Sequence, residues 1–164
     1  MDSIFHRVSI RKYEDRAVEP EKIERLLRAG FQAPSATDQQ PWEFYVVTDK
    51  KKLAELAEGC PYGKFVKDAP LAIIPCYRKE YCSVPMFAEI DLAIATENIW
   101  LEADALGLGA VWLGTAPIEE QMTKVERILD MPEGLRAFAV MPVGYPAETR
   151  EQKDRFHPER IHYV

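Results

Sequence analysis

The chain has 164 residues, 47% of them hydrophobic and 29% charged, with a formal net charge of −6. That length suits one domain, or one protomer of an obligate oligomer, able to bury roughly two-thirds of its unfolded surface. The acidic balance argues against bulk electrostatic binding to nucleic acid or an anionic membrane, so any bound anion needs a local cluster of cations.

Met1 to His6 is expected to form a short helical turn capped by Asp2 or Ser3, leading into Arg7-Val8-Ser9-Ile10-Arg11-Lys12-Tyr13. Val8 and Ile10 alternate there with Arg7, Ser9 and Arg11, so an extended chain would set cations and a hydroxyl on one side and apolar residues on the other. The pattern fits a phosphate face or a solvated strand edge. Pro20 at a first-turn position, Glu21 and Glu24 behind it and Gly30 near the end predict a helix over Pro20–Ala29 with Ile23, Leu26 and Leu27 on its apolar face.

Ala33-Pro34-Ser35-Ala36-Thr37-Asp38-Gln39-Gln40-Pro41-Trp42 then joins helix to strand. Its two prolines stiffen a polar loop whose Ser, Thr, Asp and Gln side chains suit either ligand binding or a well-made turn.

Trp42–Val47 reads as a strand, and Asp49 as the cap of a helix carrying Leu53, Leu56 and Ala57 up to Gly59. Leu71–Tyr77 has the apolar run of a buried strand, with Pro75 inside it pointing to an edge position or a bulge. Met86–Leu106 is the longest helical segment. It is apolar around most of its circumference, so it is expected to cross the core or a subunit interface, and a homodimer would supply the partners.

Gly107–Gly114 is a glycine-punctuated turn and short strand; Gly107-x-Gly109 lacks the third glycine and the preceding strand of a dinucleotide fingerprint. Pro117 is expected to start a helix with Val125, Ile128 and Leu129 on its face, and Leu135–Val143 to form one strand closed by Gly144-Tyr145-Pro146. The polar tail over 147–164 carries Lys153 and Arg155 two residues apart. Irregular alternation of helices and strands without repeats or linkers fits an α+β or mixed-sheet domain.

Cys60, Cys76 and Cys82 are odd in number and contain no Cys-x-x-Cys, which suggests neither a disulfide framework nor a zinc site. They and His6, His157 and His162 are read as structural or surface residues, and no metal site is expected. With no apolar leader core and no run of 18 apolar residues, the expectation is a cytoplasmic protein.

Taken together, Arg7-x-Ser9-x-Arg11, Ala33-Pro34-Ser35-x-x-Asp38-x-Gln40-Pro41-Trp42, the long helix running into Leu106-Gly107-Leu108-Gly109, Trp112-Leu113-Gly114, Gly144-Tyr145-Pro146 and the basic pair in the tail resemble the FMN-dependent nitroreductase family over essentially the whole chain. One departure is Asp38, where the family usually has Asn. The resemblance implies an intertwined homodimer with a mixed, mainly antiparallel sheet flanked by helices. It also implies C-terminal arms over about 147–164 wrapping the partner, and two FMN sites at the dimer interface.

By position, Arg7, Lys153 and Arg155 would meet the FMN phosphate with Ser9 nearby, and Arg11 would lie towards the pyrimidine edge. Pro34, Ser35 and Ala36 would come from the other subunit, and the backbone at Leu113 and Gly114 would face the ring. Val8, Asp38, Gln40 and Trp112 complete the implied cofactor contacts. Guanidinium groups suit a phosphate, a fixed cation near the pyrimidine edge offsets the charge of two-electron reduction, and glycine permits close approach of backbone to ring.

The activity so implied is an NAD(P)H oxidoreductase passing hydride through FMN N5 to a nitroaromatic, quinone or enone by a ping-pong scheme. No side chain is required as acid or base, and Arg11 and Gly114 tune the ring. Two alternatives stand beside it: a flavin-dependent reductive dehalogenase or desaturase on the same scaffold, and a non-catalytic flavin carrier or sensor. Asp38 keeps the second open, because a carboxylate near a reduced flavin would disfavour reduction by like-charge repulsion.

Overall fold

The computed structural model describes residues 2–164. Met1, the first residue of the expected N-terminal turn, lies outside that range. α1 (Ser3–His6) is that turn; Asp2 stands at its cap position but its side chain makes no capping bond. α2 (Pro20–Phe31) begins at the proline, as expected, and passes through Gly30 instead of stopping before it. Packing explains the glycine, since a Cβ there would come within 2.9 Å of both Ile99 Cδ1 and Phe44 Cζ. Gly30 is thus the place where α2 packs close to its neighbours.

β1 (Trp42–Val47) leads into α3 (Lys50–Gly59), whose first turn is capped by Asp49 Oδ1 accepting from Lys52 N at 2.8 Å. β2 (Leu71–Arg78) is the central strand. It pairs antiparallel with β1 on one side and, on the other, with β5 (Leu135–Ala137) and β6 (Ala139–Gly144).

This corrects one expectation and decides another: 135–143 is not one strand, and of the two alternatives for Pro75 the edge position is excluded. β6 pairs with residues 71–73 of β2 and β5 with residues 76–78, so the second ladder is interrupted beside Pro75. Phe138, between β5 and β6, donates its backbone N–H to Pro75 O at 2.9 Å. The proline's missing donor therefore falls where the partner strand is broken, as the bulge alternative required.

β3 (Gly109–Ala110) and β4 (Leu113–Gly114) both pair with β6, giving a six-stranded sheet of core order β1-β2-β6-β3. Every ladder between these strands is antiparallel, and the single bridge Ser9–Ala110 adds a parallel contact. α5 (Glu119–Ile128) begins two residues after Pro117, which therefore precedes the helix and does not open it.

Side-chain alternation along β2 divides the interior. Ala72, Ile74 and Cys76 pack with Leu53, Leu56 and Val125 of α3 and α5, while Leu71 and Ile73 pack with Leu26 of α2 and Ile99 of the long helix α4 (Ala88–Ala105). α4 starts two residues later than expected, because Pro85–Phe87 forms a separate 3-10 turn. It buries the stripe Leu92, Ala95, Ile99 and Ala103, and Gly107 at φ +71° reverses the chain after it. On its other side Ile90 is 55% exposed, and Met86 before the helix 80%.

Candidate functional site

The N-terminal segment and the chain leaving β6 run side by side. Ile10 N donates to Ala110 O at 3.0 Å, Ala147 N to Lys12 O at 2.9 Å, Arg11 N to Glu148 Oε1 at 2.6 Å, and Gln152 Nε2 to Arg7 O at 2.8 Å. These bonds bring the predicted cations Arg7 and Arg11 alongside the tail that carries Lys153 and Arg155. Ile10 is buried while Arg7, Val8, Ser9 and Arg11 are half-buried, so the two-sided pattern holds at Ile10 but not fully at Val8, and there is no regular strand.

Arg7 is held in a defined pose. Its guanidinium carbon lies 4.0 Å from the Trp100 ring centroid, and its Nε is 3.7 Å from Glu97 Oε1. A stacked guanidinium keeps its donors in the plane of the group, and among the described residues the Arg7 side chain donates no hydrogen bond. Lys153 and Arg155 are exposed on a groove shared with Ile4, Phe5 and Phe156.

Arg11 lines a cleft of about 970 Å3 with Tyr62, Lys64, Phe65 and Lys67. Sequence reasoning passed over this loop after α3. Its signal was an aromatic, a glycine and a cation in succession, Tyr62-Gly63-Lys64, at a helix end. Leu113 reaches the same loop: a Cβ on Gly63 would lie 3.4 Å from Leu113 Cδ1. Gly114 beside it faces open space, and a Cβ there would meet nothing nearer than Ala116 O at 4.0 Å. Packing within the chain therefore does not require glycine at 114.

Cys60 also lines the cleft, but burial pushes its thiol up to about 11, so it is not a thiolate at neutral pH. Trp112 turns away to pack on Phe138, with ring centroids 5.4 Å apart.

The Pro34–Gln40 loop is organised by Asp91, a residue the sequence reading noted only as an interruption of the long helix. Asp91 is 2% exposed. Its Oδ1 accepts from Ala36 N at 3.0 Å and its Oδ2 from Gln39 Nε2 at 2.6 Å. Gln39 Oε1 in turn accepts from Val84 N at 3.0 Å, and Ser35 Oγ accepts from Gln40 N at 3.0 Å. Such a network rigidifies a loop because every polar partner is satisfied.

Thr37, Asp38 and Gln40 have φ of 53°, 54° and 46°. Asp and Asn are the non-glycine residues that best tolerate this left-handed backbone, which accounts for the residue type at 38. Gln40 Nε2 donates to Asp38 Oδ1 at 2.8 Å.

Within one chain the loop does not reach the Arg7 set. Its anchor Asp91 and the Arg7 platform Trp100 stand nine residues apart on α4, about 13 Å along the helix axis.

The profile of the Nitroreductase family matches residues 4–84 and 60–145. A Methanothermobacter thermautotrophicus protein provisionally named an NADH dehydrogenase/NAD(P)H nitroreductase is 45% identical over 162 residues, covering 99% of this chain and 85% of its own. The chain belongs to the nitroreductase family.

Among solved structures, an FMN-dependent nitroreductase from Clostridium difficile superposes on this family member with a TM-score of 0.91 at 31% identity, covering 98% of this chain and 96% of the other. An iodotyrosine deiodinase from Haliscomenobacter hydrossis is 30% identical over 176 residues, 87% of this chain and 77% of its own. Among the described residues of this chain, no helix is long and apolar enough to cross a membrane.

Proposed function

We propose that this protein is an FMN-dependent NAD(P)H oxidoreductase, one nitroreductase-like domain working as a homodimer in the cytoplasm. The observation that carries the reading is the posed Arg7 guanidinium, stacked on Trp100 beside Glu97 and making no side-chain hydrogen bond to the described residues. A planar guanidinium meets a phosphate bidentately, and Gln152, which donates to Arg7 O, is followed in the chain by the cations Lys153 and Arg155. Arg11 follows four residues later, about 13 Å along extended backbone, at the mouth of the cleft. The residues thus fit a group with a phosphate at one end and a flat ring at the other, with the open backbone at Gly114 available to the ring. The C. difficile neighbour, described as FMN-dependent, supports the choice of that group.

Bound there, FMN would supply two-electron transfer between reduced nicotinamide and an electron-poor acceptor such as a nitroaromatic, quinone or enone. The chain's own part is placement and charge. Arg7, Lys153 and Arg155, with Ser9 beside them, hold the phosphate. Arg11 places a fixed positive charge where negative charge develops. Asp91 holds Pro34, Ser35 and Ala36 in one conformation.

That loop serves the site of a second copy, because within its own chain it lies well away from Arg7. Large apolar side chains left exposed support the second copy: Phe5 is 79% exposed, Phe156 70% and Tyr163 92%. The arm over 147–164 wraps the partner with the last two. Three free thiols, with Cys76 buried, suit a reducing compartment.

The experiment is an FMN titration of purified protein followed by anaerobic addition of NADPH or NADH. Flavin absorbance acquired with one FMN per chain, then bleached by the reduced nicotinamide, is the expected result. A protein that gains no flavin absorbance ends the reading.

The similarity to an iodotyrosine deiodinase favours a second reading, reductive dehalogenation on the same scaffold. The β2–α4 connection holds only the short 3-10 turns Lys79–Tyr81 and Pro85–Phe87. It leaves little chain for a substrate lid, which ranks the second reading below the first. Turnover of halophenols in preference to nitroaromatics would reverse that order.

A further inference from the structure

Beside the cleft lies a second hollow of about 470 Å3 that the reading above leaves without a role. Arg11 and Lys67 line both, so the two spaces share a wall. The other charged groups facing the hollow are Lys12, Lys50, Asp15 and Asp68, which makes four cations against two carboxylates in a chain whose net charge is −6. None of the four cations forms an ion pair among the described residues. The neighbouring lysines of α3 behave otherwise: Lys51 lies 3.9 Å and Lys52 3.8 Å from Glu55 carboxylate oxygens. Concentrating unpaired cations in a concavity is unfavourable to the isolated chain and raises the local concentration of an anion. The hollow is too small and too local for a nucleic-acid track, but it suits a compact polyphosphate.

We propose that this hollow binds the phosphates of the nicotinamide dinucleotide while its nicotinamide occupies the adjoining cleft, and that it favours NADPH over NADH through the additional 2′-phosphate. The proposal rests on the flavin reading and deepens it by naming the reductant. Lys12 and Lys50 are the informative residues, because they are exposed and line the hollow without lining the cleft. Ammonium groups on flexible stems act there as point charges toward phosphate, so binding is salt-sensitive.

The test uses FMN-loaded wild type and the K12E/K50E variant with three reductants: NADPH, NADH and N-benzyl-1,4-dihydronicotinamide, which carries no phosphate. The variant is expected to raise KM for NADPH about tenfold and for NADH about threefold with kcat retained, as loss of charge-assisted contacts dictates. Its rate with the benzyl compound should be unchanged, which also shows that the variant is folded. Inorganic pyrophosphate should compete with NADPH in the wild type and not in the variant. Equal KM values for NADPH in the two proteins, or a parallel loss with the benzyl compound, would overturn the proposal. Failure of the wild type to be reduced by any of the three would overturn the flavin reading itself.

Discussion

The sheet and the rim of this molecule are built on different terms. β2 is buried along Leu71–Tyr77 and is covered on both faces by helices of its own chain. The rim, made of the N-terminal segment, the Pro34–Gln40 loop and the tail, carries the cations and polar groups together with large exposed apolar side chains. Its order comes from specific hydrogen bonds, such as Gln152 to Arg7 O and Ala36 N to Asp91. The core is complete in one chain, whereas the proposed site draws its Pro34–Gln40 loop from a second copy.

Substitutions should separate the two regions. Ile74→Ala empties volume in the fully buried layer between β2, α3 and α5, and is expected to cost about 3 kcal/mol in urea unfolding. The folded fraction should retain its affinity for FMN. Arg7→Ala should do the reverse, weakening FMN binding by about 2 kcal/mol, or roughly thirtyfold in a fluorescence titration. Its urea midpoint without flavin should stay near wild type, and Arg7→Lys should recover only part of the loss.

Asp91→Ala removes the acceptor of Ala36 N and Gln39 Nε2 and is expected to cost about 1–2 kcal/mol. Hydrogen exchange should become faster at Ala36 before it changes anywhere in β2. Unchanged exchange there would remove the loop's anchor from the explanation.

Much of the core was legible because burial and periodicity coincide. The apolar run along Leu71–Tyr77 and the cap at Asp49 are local signals that the fold preserves. Pro75 left an edge and a bulge both open, because a proline is normally excluded from central strands. What accommodates it, the break at Phe138, lies more than 60 residues away and leaves no local mark. Gly30 suggested a helix end, yet its reason is the approach of Ile99 and Phe44 from other elements.

At the site, the cationic residues were visible as types. Asp91 was not, because a carboxylate interrupting an apolar helix is usually solvated, and only the fold reveals that it is buried beneath a loop. The Tyr62–Lys67 wall was hidden for a similar reason, since its meeting with Arg11 is tertiary.

A further test concerns Cys60, which packs against the core and lines the cleft. Burial raises its thiol from 9.0 to about 11. The unfolded chain therefore loses this proton first as pH rises. The associated stability is intact below about pH 9 and lost as pH climbs towards 11. Alkylation by iodoacetamide at pH 8 should accordingly be about a hundredfold slower at Cys60 in folded protein than in urea, in proportion to the thiolate fraction. Equal rates would place Cys60 on the open surface.

The shared site is tested most directly by sedimentation velocity with detection at the flavin band during an FMN titration. Flavin is expected to travel only with a species of twice the 18.8 kDa chain mass, at one FMN per chain. Flavin bound equally tightly to a species of single-chain mass would contradict a site completed by a second copy.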